Sequence, residues 1–225
     1  MDRKRDPLMQ TVPFNKLNAS IGLLWLFHVS GIIGIIYGNA QWFVQATPIN
    51  LTLSFILLLL NMGWNRNSLW VIFTCYFVGM LAEILGVYYG FIFGSYSYGA
   101  TLGPKVFEVP WVIGLNWCIL IIITASIARA FFTHFWASIC CAVGLMLFLD
   151  VLIEPMAPVL DFWTFETGLA SLHNYLGWAL VALPLQVVYQ RYGLPYKNAL
   201  PFHLYLLQLL FFVILLLKVN SIGIQ

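Results

Sequence analysis

The sequence predicts an all-α, polytopic integral membrane protein of about seven transmembrane helices with its N-terminus in the cytoplasm. Composition is the first reason. Of 225 residues, 62% are hydrophobic and only 8% are charged, whereas a soluble domain carries roughly a quarter charged residues. The second reason is a series of apolar runs near spanning length. The third is the placement of Lys and Arg. Arg3, Lys4, Arg5, Lys16, Arg66, Arg129, Arg191 and Lys197 fall before the first run or in alternate loops, and only Lys105 and Lys218 fall on the other side. Loops rich in Lys and Arg stay in the cytoplasm, so the chain is expected as a multi-pass protein of the cell membrane.

Taken in order, Met1 to Asn15 is charged and lacks a short apolar core with a cleavage site, so no removable signal peptide is expected. The apolar segments run over about 17–38, 46–63, 69–93, 109–128, 134–157, 170–190 and 199–219. The second is short and holds Pro48; the third and fifth are long enough to tilt. This divides the chain into a cytoplasmic segment 1–16, one transmembrane domain 17–219 and a tail 220–225. Tyr37, Trp42, Trp64, Trp70, Trp111 and Trp163 cluster near segment ends as interfacial anchors do. The four cysteines lie within apolar runs without metal-ligand spacing and read as packing residues. A net charge of +2 gives no reason to expect nucleic acid.

Three carboxyl groups lie where the membrane makes them costly: Glu83 in the third segment, Asp150 and Glu154 in the fifth. Each costs about 2.5–3.5 kcal/mol at mid-helix on insertion scales, which marks them as candidate functional groups. Asp150 and Glu154, four apart, share a helix face. Their mutual repulsion favours one of them holding a proton, as an acid/base pair requires. At ~1.5 Å per residue, Glu83 lies about 21 Å along its segment and Asp150 about 24 Å along its own. In the topology above both lie in the outer half. Asn116 and Trp117 near the outer end of the fourth segment, and His173, Asn174 and Tyr175 at the start of the sixth, fall at the same level. His28, His134 and His203 read as structural.

After the third segment, Gly86, Gly90 and Gly94 form a small face at four-residue spacing, suited to close helix approach. The Tyr96-Ser-Tyr98 alternation beyond it reads as an ordered, aromatic-lined loop whose hydroxyls need partners. There is no phosphate-cradling glycine loop, no HExxH and no histidine cluster of the kind that holds haem or di-iron. The expected chemistry is therefore carboxyl acid/base work on a mostly apolar substrate.

The run Glu83-x-x-Gly86…Gly90-x-x-Phe93-Gly94-x-Tyr96-x-Tyr98…Leu102-Gly103-Pro104…Val109-Pro110 resembles the membrane family of carotenoid biosynthesis that includes the CruF-type carotenoid 1',2'-hydratases. Asn116-Trp117, Asp150-x-x-x-Glu154-Pro155, Trp163-Thr-Phe165 and Asn174-Tyr175-x-x-Trp178 extend the resemblance over about residues 80–180. Ser171-Leu172-His173 departs from the proline expected before the Asn-Tyr pair.

The resemblance implies a lipid-soluble acyclic carotenoid with a ψ-end, such as lycopene or γ-carotene. Water would add across its terminal double bond without metal, flavin or nicotinamide. Glu83, Asp150 and Glu154 would be catalytic. Asn116, Trp117, Tyr96, Tyr98, His173, Asn174 and Trp178 would bind the end group, water or the cation. Membrane lipid and other carotenoid-pathway enzymes are the expected partners. Three alternatives stay open: a lycopene-type cyclase, a proton-coupled transporter, and a non-catalytic subunit of a carotenoid complex.

Overall fold

A computed structural model describes residues 15–64, 66–192 and 198–219. Most of the expected segment 1–16, the tail 220–225, and Arg3, Lys4, Arg5 and Lys197 of the charge pattern lie outside these residues. Eight helices follow in order: α1 (Lys16–Tyr37), α2 (Ala40–Gln45), α3 (Thr47–Asn61), α4 (Arg66–Tyr89), α5 (Val112–Phe131), α6 (Phe135–Ile153), α7 (Leu172–Tyr192) and α8 (Leu200–Leu217). Short strands β1 (Tyr96–Tyr98), β2 (Lys105–Val106) and β3 (Val109–Pro110) separate α4 from α5, and β4 (Trp163–Phe165) precedes α7.

The spans follow from composition. Six helical stretches among the described residues are long and apolar enough to cross a membrane, counting Ala40–Asn61 as one. The seventh, α7, has 21 residues but carries His173, Asn174, Gln186 and Gln190, which lower its apolar character. The second span begins earlier than its apolar run, at Ala40, and breaks at Ala46. Pro48 opens α3 in the first turn, where its missing N–H costs nothing.

Two helix ends differ from the sequence reading. The third segment stops at Tyr89 because Gly90 takes φ +68, the left-handed stop open to glycine, and donates its N–H to the Gly86 carbonyl at 2.8 Å. The glycine face is corrected accordingly. Gly90 and Gly94 (φ +92) belong to a turn, and only Gly86 is helical, facing Phe93 and Tyr96 of the chain just beyond it. The fifth segment stops at Ile153; Pro155 has no N–H to continue the ladder, and residues 154–160 coil in turns.

Helix α5 is the pillar. It packs against α3, α4, α6, α7 and α8, and its residues from Val112 to Ala128 are buried except Asn116. Close approaches occur at other glycines: Gly79 lies under Trp117, Gly114 under Tyr76 and Met80, and Gly177 against the backbone of Ile92. His134 caps α6 by accepting from the Ala137 N–H, and His203 accepts from the Trp25 indole at 3.1 Å. At one end of the bundle β1 pairs antiparallel with β4, so the loops after α4 and α6 form a single cap.

A methyl group on Gly177 would overlap the Ile92 carbonyl oxygen, which no rotamer change relieves, while Gly144 has open space around it. Gly177→Ala is expected to cost about 1–3 kcal/mol, lowering Tm by several degrees in detergent. Gly144→Ala is expected to hold or slightly raise Tm. Thermal unfolding followed by circular dichroism separates the two.

Candidate active site

Each of the three intramembrane carboxyl groups is buried, so its hydrogen bonds must come from the protein. Glu83, in the last two turns of α4, receives three. Tyr96 and Tyr98 donate their hydroxyls to Oε2 at 2.6 and 2.7 Å. The Trp117 indole donates to Oε1 at 3.0 Å. The two tyrosines reach one oxygen because alternate residues of a strand share a face: in β1 they are buried, and Ser97 between them is exposed. Burial first, then the neighbouring Glu83 carboxylate, pushes both phenols well above their ordinary range. They are therefore O–H donors throughout the physiological pH range.

Asp150, in the last turn of α6, and Glu154, at its cap, form the second cluster. The Asn174 amide bridges them, its Nδ2 donating to Asp150 Oδ2 at 3.1 Å and to Glu154 Oε1 at 3.2 Å. Asn174 sits in the first turn of α7, which delivers it between the two acids. The Trp163 indole, on β4, donates to Glu154 Oε2 at 3.3 Å. Asp150 Oδ1 is buried and has no partner among the described residues.

The two clusters meet at one small cavity. Glu83, Asn116, Glu154 and Asn174 supply its polar wall, and Tyr96, Tyr98, Phe93, Trp163, Phe165 and Trp178 most of its aromatic wall. The space open to the centre of a water-sized sphere is about 20 Å³; one water needs roughly 10–15 Å³ of such space. Trp178 stacks on Trp117 with ring centroids 4.4 Å apart and planes 18° from parallel. Chemically the site offers carboxyl and amide groups around room for one small polar molecule, enclosed largely by aromatic side chains.

Of the residues singled out in the sequence, Glu83, Glu154, Asn116, Asn174, Tyr96, Tyr98 and Trp178 line the cavity. Asp150 and Trp117 stand one contact behind it. His173 does not join them: it is exposed and its Nε2 meets the Phe91 carbonyl at 2.7 Å, tying α7 to the turn after α4. Phe93, Trp163 and Phe165 were visible in the sequence as motif positions, with no site role attached. Pairing of β1 with β4 brings the last two in, setting Tyr98 opposite Trp163 and Tyr96 opposite Phe165.

A family model described as carotenoid biosynthesis protein matches residues 40–224. The chain belongs to the carotenoid biosynthesis protein family. This family match spans every residue of the cavity and extends over α2, α3 and α8, where the sequence alone is generic apolar chain. No curated protein and no solved structure matches the chain significantly.

If the Asn174 amide is what reconciles Asp150 with Glu154, Asn174→Leu leaves two buried acids unbridged. Its cost is expected at about 1–3 kcal/mol per group left unsatisfied. Adding Asp150→Asn removes one of the two acids and is expected to recover part of the lost Tm. Equal Tm values for the wild type and Asn174→Leu would show that the bridge carries no stability.

Proposed function

We propose that the protein is a carotenoid hydratase that adds water to the terminal 1,2 (1',2') double bond of an acyclic ψ-end. The observation that carries this reading is the one-water cavity that Glu83 and Glu154 both line. A hydratase needs an acid, a water and a base near the alkene, and two carboxyl groups, Glu83 and Glu154, line one space large enough for a single water.

Protonation comes first. Glu154 gives its proton to C2 of the end group, and the π-pair forms the new C–H bond, leaving a tertiary cation at C1. Asp150, held four residues away and bridged through Asn174, keeps the pair supplied with a proton. The faces of Trp178, Tyr96 and Tyr98 lie around the cation, where an aromatic quadrupole lowers its energy. The water attacks C1, and its surplus proton goes to Glu83. A carboxylate has about four acceptor positions; three on Glu83 are filled by Tyr96, Tyr98 and Trp117, and the one left open is on Oε1. A proton returned from Glu83 to Glu154 through the next water closes the cycle, so the reaction is redox-neutral and balanced. The substrate is dissolved in the bilayer, and the end group enters by parting the aromatic wall.

Hydration and cyclisation share the protonation step and diverge at the cation. The distinguishing measurement is pigment analysis in a lycopene-producing host. Glu154→Gln is expected to lower the hydroxylated product at least a hundredfold, the usual scale of a lost general acid. Glu83→Gln is expected to do likewise, with Asp150→Asn intermediate. The product oxygen is expected to carry label from heavy-oxygen water. Hydroxylated pigment in all three variants would remove the site assignment; label from molecular oxygen would remove hydration; a ring in place of the alcohol would identify a cyclase.

The Lys and Arg pattern supports a cytoplasmic N-terminus, which sets the β1–β4 cap and the cavity on the outer side and carries α8 outward. A C-terminal alkaline phosphatase fusion is then expected to be active and a C-terminal green fluorescent protein fusion dark. The opposite pair of results would invert the orientation.

A further inference from the structure

The chain holds a second, larger cavity among α1, the α2–α3 break and α8, and it shares no lining residue with the first. The space open to the centre of a water-sized sphere is about 300 Å³, against roughly 150 Å³ for an engineered apolar cavity that takes up benzene. Aromatic rings make up much of its wall, Phe43, Phe211 and Phe212 among them, and the exposed Trp42 and Ile49 stand at its rim. It therefore opens to the lipid side of the bundle.

Three polar side chains line this apolar space, and two of them carry a buried oxygen without a partner among the described residues. Gln208, mid-way along α8, is only 8% exposed, and its Oε1 has no partner among the described residues. Asn50 Oδ1 on α3 is likewise buried without a partner. The third is His28. Its Nδ1 lies 2.8 Å from the Leu24 carbonyl; a carbonyl only accepts, so the proton is on Nδ1 and the neutral ring leaves Nε2 as an acceptor. A buried polar atom left unmatched costs about 1–3 kcal/mol, and the two oxygens, Gln208 Oε1 and Asn50 Oδ1, are both acceptors that call for a donor. A hydroxyl fits: its O–H donates to one of these acceptors, such as Gln208 Oε1, while the rest of the molecule lies in the apolar space.

We propose that this cavity is a binding site for a lipophilic alcohol, a long apolar molecule whose hydroxyl docks at Gln208, with Asn50 and His28 beside it. It is separate from the carboxyl site and independent of the hydration reading, since occupancy needs no turnover. Phe162 links the two. It lines this cavity, and its ring lies 6.1 Å from that of Trp163, which donates to Glu154. An occupant would thus rest on the loop that carries Trp163.

The test uses purified full-length protein in detergent, with geranylgeraniol, the same chain lacking the hydroxyl, and dioleoylglycerol as probes, read by native mass spectrometry and thermal shift. One geranylgeraniol per chain is expected, with the hydroxyl-free chain at least tenfold weaker. Gln208→Leu is expected to weaken the alcohol at least tenfold. Gly31→Leu fills space beside Phe211, where a Cβ has ordinary contact at 3.5 Å; it is expected to lower binding while keeping the wild-type Tm and leaving Gln208 in place. Displacement of the prenol by dioleoylglycerol in a Gln208-dependent manner would mark bilayer lipid as the source, and no displacement an isoprenoid alcohol; both uphold the site. Equal binding of alcohol and hydrocarbon, no saturable binding, or wild-type affinity in both variants would overturn it.

Discussion

A carboxyl group buried inside a bilayer must draw most of its hydrogen bonds from the protein around it, and the architecture at one end of this bundle follows from that constraint. Glu83 requires donors, and α4 itself has none to give, since every helical N–H within reach is committed to the ladder. The donors come from Tyr96 and Tyr98 on a strand and from Trp117 on the next helix. A lone strand in that setting leaves its own backbone groups unmatched, at several kcal/mol each in hydrocarbon. Pairing β1 with β4 matches those that face the partner strand, and the same pairing carries Trp163 to Glu154. One acceptor thus accounts for a strand, its partner and the contact to the second carboxyl cluster.

Helix α5 makes that cap possible by holding the rest in place. Small residues at Gly79 and Gly114 let α4 close on it, so Trp117 reaches Glu83 while its face stacks on Trp178 of α7. Because α5 is buried on nearly all sides, the bundle has two sides that share no lining residue. The acids lie among α4, α6 and α7, and the lipid-facing cavity among α1, α3 and α8. Neighbouring residues of one loop, Phe162 and Trp163, join them, one lining each cavity.

Much of this was legible in the sequence for a physical reason: the costs involved are large. Spanning helices stand out because each needs some twenty apolar residues, and Glu83, Asp150 and Glu154 stand out because hydrocarbon penalises them. The Tyr96-Ser-Tyr98 alternation was readable as two hydroxyls seeking partners. The pairing of β1 with β4 was not, because strands of three residues carry almost no periodic signal and these partners are separated by two spanning helices. The stop at Gly90 depends on a backbone angle, so three evenly spaced glycines read as a helical face. His173 sits next to Asn174 in sequence, yet adjacent helical positions point about 100° apart, and only Asn174 turns inward. Gln208 and Asn50 carry no sequence signal because an amide in an apolar run is usually satisfied by a neighbouring helix; that their oxygens have no partner among the described residues is a fact of the packing.

Under the hydratase reading, product identity is a matter of what lies nearest C1 when the cation forms. Protonation by a carboxylic acid is common to hydration and ring closure, so the acid pair alone does not select between them. Selection falls to the wall opposite. A cavity sealed by rings would leave the substrate's own neighbouring double bond as the closest nucleophile, and the cation would close on it. Here the wall is interrupted by Asn116, Asn174 and an unfilled acceptor position on Glu83 Oε1, around space for one water. A water held there is both the nearest nucleophile and the one whose surplus proton has somewhere to go. The three donors on Glu83 then have a second consequence. By filling all but one of its acceptor positions they limit the direction from which a water can approach it, which on that reading is what would make Glu83 a positioned base.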